Sequence, residues 1–317
     1  MNYKTENTEK IILPGGAGQV GQNLVLKLLK KGYTNIVVID KHHQNLSILK
    51  TLHPKIKAIN ADLSKPGEWQ EQFLDSDIVI MLQAQIGGLK YSEFEKNTLR
   101  STDLILDTIK SHGNPYLIHI SSSVVNSDIN NFYNRSKMEQ EKIILKKGFN
   151  CPILRPTLMF GWFDRKHLGW MSRFMQKTPI LPVPGNGRYI RRPLYVMDFC
   201  EIIIKCMKRR TFSGTYNIFG REEIFYIDIL KMIKKANHAS TLIIPVPTLF
   251  FYIMLYAWSL INKNPHFTTQ QLKYLIAKYD YEIIDWEKVF KVKSTPFEEA
   301  IQKTFSPSLY SKILMKF

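Results

Sequence analysis

Short runs of apolar residues alternate, through the first half of the chain, with longer segments in which apolar side chains recur at helical spacing. The runs at 10–13, 35–39, 57–61, 77–82, 116–120 and 152–154 are too short for helices and read as strands. Between them, Leu24, Leu28 and Lys31, and again Leu104, Leu106 and Ile109, mark helix-like segments. Strands alternating with helices predict parallel βαβ units covered on both faces, an α/β doubly wound sheet of Rossmann type over residues 1–156. After Pro156 the rhythm breaks. Pro179, Pro182, Pro184, Gly185 and Gly187 punctuate the chain, so 157–317 is expected to form a smaller substrate-binding lobe, with some segments returning to the sheet. No internal repeat or low-complexity tract interrupts this reading.

The sharpest local signal is Ile11-Ile12-Leu13-Pro14-Gly15-Gly16-Ala17-Gly18-Gln19-Val20-Gly21, which follows the first strand and opens an apolar-periodic helix. Glycines there permit a tight turn and close approach of backbone to a pyrophosphate, and the helix N-terminus offers unpaired N–H groups. The second strand ends in Asp40, a carboxylate positioned to accept hydrogen bonds from adenosine ribose hydroxyls and to repel a 2′-phosphate. NAD is therefore expected over NADP, although Lys41 next to it weakens the discrimination. No G-x-x-x-x-G-K-[ST] sequence occurs, which disfavours a nucleoside triphosphatase.

Ser121, Ser122 and Ser123 follow the fifth strand, and Tyr133 and Lys137 come before the sixth. Tyrosine and lysine four apart share one helix face. A phenol ionises near pH 10, so use as a base near neutrality means lowering it by about three units, or ~4 kcal/mol; an adjacent ammonium and a cationic nicotinamide can supply that. A nearby serine hydroxyl would orient the reacting oxygen. Tyr274 and Lys278 repeat the spacing but do not lie between strands five and six, and read as a solvated helix face.

The 317 residues are 44% hydrophobic and 22% charged, values of ordinary folded domains that exclude a disordered or collagen-like chain. Lysine and arginine number 44 against 27 acidic residues, a formal net charge of +17, which points to an anionic partner: nucleic acid, a membrane surface or a phosphorylated ligand. Zinc-finger spacing, RNP-like aromatics and basic heptad helices are all missing, so no nucleic acid is expected. Cys151, Cys200 and Cys206 form neither an even framework nor a C-x-x-C pair, which fits a reducing cytoplasm. The polar opening MNYKTENTEK gives no basis for a secretory signal. His42 and His43 diverge as neighbours and no ligand set follows, so no metal is expected. His119 reads as packed, and Cys200 and Cys206 as core.

On these residues the chain resembles an extended short-chain dehydrogenase/reductase of the NAD-dependent epimerase/dehydratase family, from about residue 10 to 305. Gly15, Gly18 and Gly21 take the glycine positions, with Gln19 and Val20 among the cofactor contacts, and Asp40 takes the ribose position. Asp62 with Leu63 resembles the residues beside the adenine. Gln83 and Ala84 run past the cofactor, Gln85 reaches toward substrate, and Asn97 resembles the helix asparagine behind the active site. By position the resemblance makes Ser123 the catalytic and substrate-binding serine, Tyr133 the base and Lys137 its partner, the last two also touching the cofactor. Leu154-Arg155-Pro156-Thr157 and Phe160-Gly161 resemble the strand and turn beneath the nicotinamide. Arg192, with Arg188 or Arg191 nearby, resembles the arginine that binds a sugar diphosphate.

The resemblance implies NAD as cofactor, a nucleotide-linked or polyprenyl-diphosphate-linked sugar as substrate, epimerisation with C4 as the commonest centre, surface polysaccharide synthesis, and pairing into a homodimer. It also leaves open a sugar reductase or dehydratase, and a non-catalytic nucleotide-binding subunit of the kind found in respiratory complexes. Pro14 replaces the usual threonine, and Ser123 lies only ten residues before Tyr133, shorter than in typical nucleotide-sugar epimerases. Val124 and Val125 stand where dehydratases carry an acidic pair, which disfavours dehydration. Residues 242–261 carry no charge. Their helical part, 248–261, is about 21 Å long against a bilayer core of about 30 Å, so it cannot span. It either packs on the substrate lobe or lies in a membrane interface, helped by Leu309, Ile313, Leu314 and Phe317 with Lys312 and Lys316; the protein would then sit on the inner face of the membrane.

Overall fold

The central sheet is built from seven parallel strands. Six of them are the apolar runs: β1 (Ile11–Pro14), β2 (Ile36–Asp40), β3 (Lys57–Asn60), β4 (Ile78–Met81), β5 (Tyr116–Ile120) and β6 (Pro152–Pro156). The seventh, β11 (Gly214–Ile218), comes from the second half of the chain and pairs with β6 along its whole length. The order is β11-β6-β5-β4-β1-β2-β3. The structure is a computed structural model and describes residues 7–127, 131–261, 272, 275–276 and 284–315; Tyr274, Lys278, Lys316 and Phe317 lie outside the described residues.

Along the inner strands β1, β4 and β5 both faces of the sheet are covered, since alternate side chains of each strand point to opposite sides and both sets are buried. Ile11 and Leu13 of β1 pack with Leu24, Val25 and Leu28 of α1 (Gln19–Lys30) and with Phe199, Ile202 and Ile203 of α7 (Val196–Arg209). Ile12 points the other way, to Ile105, Leu106 and Ile109 of α4 (Ser101–His112) and Ile144 of α5 (Phe132–Lys146). The three cysteines are buried and free. Before α4 the helix starts as α3 (Tyr91–Phe94) and passes through a π-helical turn, Glu95–Arg100. Between β2 and β3 lies α2 (His43–Leu52).

The second lobe has its own core, formed by α6 (Leu168–Lys177), α8 (Tyr226–Ala236) and the helix Phe297–Phe305 around Phe160, Leu230 and Ile301. Three two-stranded ribbons edge it: β7 (Met159–Phe160) with β10 (Leu194–Tyr195), β9 (Ile190–Arg191) with β12 (Ile224–Phe225), and β8 (Ile180–Pro184) with β13 (Leu242–Val246). The apolar helix α9 (Thr248–Ile261) buries Phe251 and Leu255 against Leu272 and leaves most of its other large side chains exposed.

Entry into α1 depends on one contact. A Cβ at Gly21 would lie 2.1 Å from the Gly16 carbonyl oxygen and 2.5 Å from the Gly16 Cα. Gly21→Ala is expected to lower stability by ~1–3 kcal/mol through forced displacement of α1, read as an earlier urea unfolding midpoint; an unchanged midpoint would show that the turn has room to give.

Candidate active site

Gly15 turns the chain out of β1 at φ +76°, and a Cβ there would lie 2.4 Å from the Gln83 amide nitrogen. Only glycine satisfies both demands. Gly18 precedes the first turn of α1, and a Cβ there would meet nothing closer than 3.7 Å. Above this turn a cavity of about 490 Å³ is lined by Gly15, Gly18, Gln19, Asp40, Asp62 and Gln83, among others, a volume suited to a small ligand.

The carboxylates of the cavity are held in fixed directions. Asp40 accepts from the Ala17 amide at 3.1 Å and the His42 amide at 3.0 Å, which ties the end of β2 to the glycine turn. Although burial works to raise it, the Asp62 carboxyl is held at about 2 by hydrogen bonds from Ser64 and Lys96, with Ser64 Oγ at 2.6 Å and Lys96 Nζ at 3.0 Å. Leu63 and Ala84 also line the wall. The π-helical turn presents Asn97, whose Nδ2 donates to Gln85 Oε1 at 2.8 Å, while Thr98 Oγ1 accepts the Gln85 amide at 2.9 Å. A glycine cradle without side chains, beside a carboxylate facing the same space, fits an adenine dinucleotide.

At the end of β5 the three serines part company. Ser121 Oγ donates to the buried carboxylate of Glu141, which also receives Arg155 through Nε at 2.9 Å and Nη2 at 2.5 Å. Ser122 Oγ, which accepts the Val124 amide at 3.4 Å, bears on the Tyr133 phenol and works to lower it. Ser123 begins a short 3₁₀ turn, Ser123–Asn126. Of the three, Ser122, still extended, is the one that bears on the Tyr133 phenol, while Ser123 starts the turn that follows. Burial raises the Tyr133 phenol above its ordinary value and Ser122 opposes this only in part. In the protein alone, the phenol therefore stands on the opposite side of its ordinary value from the one a neutral-pH base requires.

Lys137 is 1% exposed. Its ammonium donates to the Ile120 carbonyl at 2.8 Å and to Gln140 Oε1 at 2.6 Å. Burial pulls it down to about 7, with Glu141 working the other way. The Gln140 amide in turn donates to Thr102 Oγ1 at 2.6 Å, and Gln83 Nε2 donates to the same oxygen at 3.2 Å. Since Thr102 gives its own proton to the Thr98 carbonyl at 2.6 Å, it can only accept from both glutamines, which fixes the Gln140 oxygen toward Lys137. A buried chain Lys137–Gln140–Thr102–Gln83 so links the lysine to the cavity wall. Sequence reasoning missed Thr102 and Gln140, whose polarity on a buried helix face was the available signal.

Other expected contacts fall differently. Val20, in the first turn of α1, packs against the core and Gly21 lies against the Gly16 backbone, while Pro156 ends β6 in register with Ile218. Arg192 forms an ion pair with Glu223 at 2.5 Å and is not among the cavity-lining residues; its guanidinium is already engaged on the surface of the lobe. His119 is fully buried, and burial first and Lys137 second push its imidazole well down. The segment Phe163–His167, which sequence reasoning passed over, forms part of the cavity wall.

The chain is 26% identical over 266 residues to the mitochondrial NADH dehydrogenase (ubiquinone) 1 alpha subcomplex subunit 9 of Dictyostelium discoideum, covering 82% of this chain and 73% of that protein. It is 26% identical over 278 residues to the dTDP-D-glucose 4,6-dehydratase of the same organism, covering 74% of this chain and 63% of that protein. In fold it resembles a UDP-glucuronic acid 4-epimerase from Bacillus cereus solved in complex with NAD, with a TM-score of 0.70 and 19% identity over 93% of this chain and 95% of that one. Residues 11–219, from the first strand through the last strand of the sheet, match the family described as NAD dependent epimerase/dehydratase, and the protein is a member of that family.

Proposed function

We propose that the protein is an NAD-dependent epimerase that inverts one carbon, C4, of a sugar carried on a diphosphate, nucleotide or polyprenyl, in surface polysaccharide synthesis. The observation that carries this reading is the Tyr133 phenol with Ser122 bearing on it, and Lys137 one helical turn along and wired to the cavity wall. The chemistry that NAD supplies when bound is reversible two-electron oxidation of a sugar hydroxyl. Tyr133 Oη takes the hydroxyl proton and later returns it, and Ser122 Oγ orients the reacting oxygen. Lys137, when protonated, would place a positive charge one helical turn from the phenol, and bound NAD would supply the rest of the pull that lowers it. Turning of the keto sugar between the two half-reactions inverts the centre. Val124 and Val125, directly after the serines, offer no acid for eliminating water.

A second reading, a nucleotide-binding subunit without turnover, draws support from the Dictyostelium NADH dehydrogenase relative and from the raised phenol. NAD binding without conversion of any sugar in a panel of nucleotide and lipid-linked sugars favours this second reading.

The substrate carrier bears on α9. Leu249 (69% exposed), Phe250 (65%), Leu260 (72%) and Ile261 (81%) stand in solvent on a helix without a charged residue, with Tyr256 and Trp258 half-exposed beside them. Among the described residues no helix is long and apolar enough to cross a membrane. An anionic lipid surface, met by a chain of net charge +17, is the proposed occupant of this helix face: aromatic rings suit the headgroup region. Polyprenyl-linked sugars lie at such a surface.

Tyr133→Phe is expected to keep NAD affinity within about twofold and to lose at least ~100-fold in turnover, measured by calorimetry and by NMR of the sugar products; full activity would remove Tyr133 from the mechanism. Lys137→Met tests the buried ammonium. The lysine is depressed in the folded protein, so its penalty is complete below about 7 and fades toward the unfolded value near 10.4. The stability difference should therefore shift toward the variant by up to ~1.4 kcal/mol per pH unit as pH falls across that window, in paired urea titrations. A pH-independent difference would contradict the depressed lysine. Finally, the protein should sediment with phosphatidylglycerol vesicles in low salt and Phe250→Glu should not; native protein left in the supernatant would rule out the membrane contact.

A further inference from the structure

Beyond the helix Phe297–Phe305 the chain turns back to the cavity. Pro307 cannot continue the helix and favours an extended residue before it, and Ser306 stands at ψ 145°. Ser308 and Ser311 then close a turn on each other. The Ser308 amide donates to Ser311 Oγ at 2.8 Å and the Ser311 amide to Ser308 Oγ at 3.1 Å, next to the 3₁₀ turn Tyr310–Lys312. Each side chain satisfies the other's backbone, so the turn holds its own shape. The Ile313 amide donates to the Tyr310 carbonyl at 3.2 Å. Leu314 is 50% exposed, but Met315 beside it is only 5% exposed and belongs to the lining of the cavity that contains Gly15, Asp40 and Asp62.

The turn is anchored on the loop that follows β7. The Tyr310 ring lies on Trp162 with centroids 4.7 Å apart and a tilt of 34°, and meets Phe163 edge-on at 6.0 Å, the arrangements aromatic pairs prefer. Trp162 is itself tied at two points: its indole donates to the Lys303 carbonyl at 3.0 Å, and its carbonyl accepts Asn23 of α1 at 2.9 Å. Phe163 is buried, lines the same cavity and stands at φ +64°, a left-handed conformation that a bulky side chain holds only where its surroundings maintain it. One aromatic group thus joins α1, the loop at 162–163 and the stretch that carries Met315.

We propose that Met315 is a cofactor-binding residue and that residues 306–315 are the strap that carries it: the thioether side chain packs on the bound dinucleotide and slows its escape. This rests on the cavity being the NAD site. About 490 Å³ of space remains with Met315 in place, so the side chain forms wall and does not fill the cavity, which distinguishes a strap from a plug. An unbranched thioether conforms to an irregular ligand surface, and the contact removes apolar area from water. The polar groups of the cavity give the ligand its orientation; Met315 adds to its residence time.

The test loads the full-length protein with NADH, chases with excess NAD and follows release by fluorescence. Met315→Ala should release NADH about tenfold faster or more. Tyr310→Ala, which removes the anchor and leaves Met315 itself, should speed release in the same direction, whereas Met315→Leu should stay within about threefold of native because it keeps the apolar volume. Melting temperatures without ligand identify any variant that fails to fold. Amide hydrogen exchange needs no substitution: across 306–315 it should slow when native protein is saturated with NADH. Release within about twofold of native in folded Met315→Ala, or exchange at 306–315 unchanged by NADH, overturns the strap. Tighter NADH binding in Met315→Ala or Tyr310→Ala also overturns it and makes the stretch a competitor for the cavity. Native protein that binds neither NAD nor NADH sinks the cofactor site itself, a result distinct from these.

Discussion

The fold's working geometry depends on the missing side chain between α1 and the turn that leads into it. Gly21 lies against the backbone of Gly16 closely enough that a methyl group has no place to go. That contact seats the N-terminus of α1 directly over the end of β1. Gly15, in turn, brings the same loop against Gln83 at the end of β4, so three strand ends and a helix terminus converge. Asp40 can reach the Ala17 amide only because of this convergence. Each downstream feature of the cavity inherits its position from two carbons that are absent.

A second theme is the amount of polarity kept dry behind the cavity. Glu141 is satisfied by Ser121 and by two Arg155 nitrogens, and Lys137 by a carbonyl and a glutamine. The pairing is not complete: Gln83 Oε1 and both ring nitrogens of His119 are buried without a hydrogen-bond partner among the described residues, and an orphaned polar group in a low dielectric is expensive. Lys137 illustrates the tension. Its burial opposes its charge, and the same burial keeps the ammonium in one orientation. The phenol one helical turn away is raised by its surroundings, so in the proposed mechanism the protein would supply direction and a bound cationic cofactor would have to supply much of the field.

The strands β1, β2, β4, β5 and β6 were legible because they are largely buried and so stand out as apolar runs, whereas β3, exposed or half-buried throughout, was legible only from its place in the alternation of strands and helices. β11 was not: its residues Gly-Thr-Tyr-Asn-Ile are mostly exposed or half-buried, and a sheet-edge strand of mixed polarity has no periodic signature. The glycine turn and Asp40 were readable from spacing alone. The choice among three consecutive serines was not, since it depends on the strand's phase at its last residue, and a one-residue shift moves a side chain to the other face. Arg192 shows a different limit: a basic residue at a promising position carries no mark of the acid, Glu223, that meets it. The wall at Phe163–His167 escaped because its conformation comes from one buried aspartate bonding three amides, a local device without periodicity.

The placement of β11 reaches further than strand order. The sheet carrying the glycine turn is finished at its β6 edge by residues from beyond the second lobe's first ribbons, and α7, from the same stretch, covers one of its faces. Tyr116 of β5 also reaches out to the Phe212 carbonyl at 2.9 Å. The chain therefore crosses between its two halves several times, and a cut after Pro156 would strip a strand and a covering helix from the first half. Several covalent crossings also restrain the halves from swinging about a single pivot.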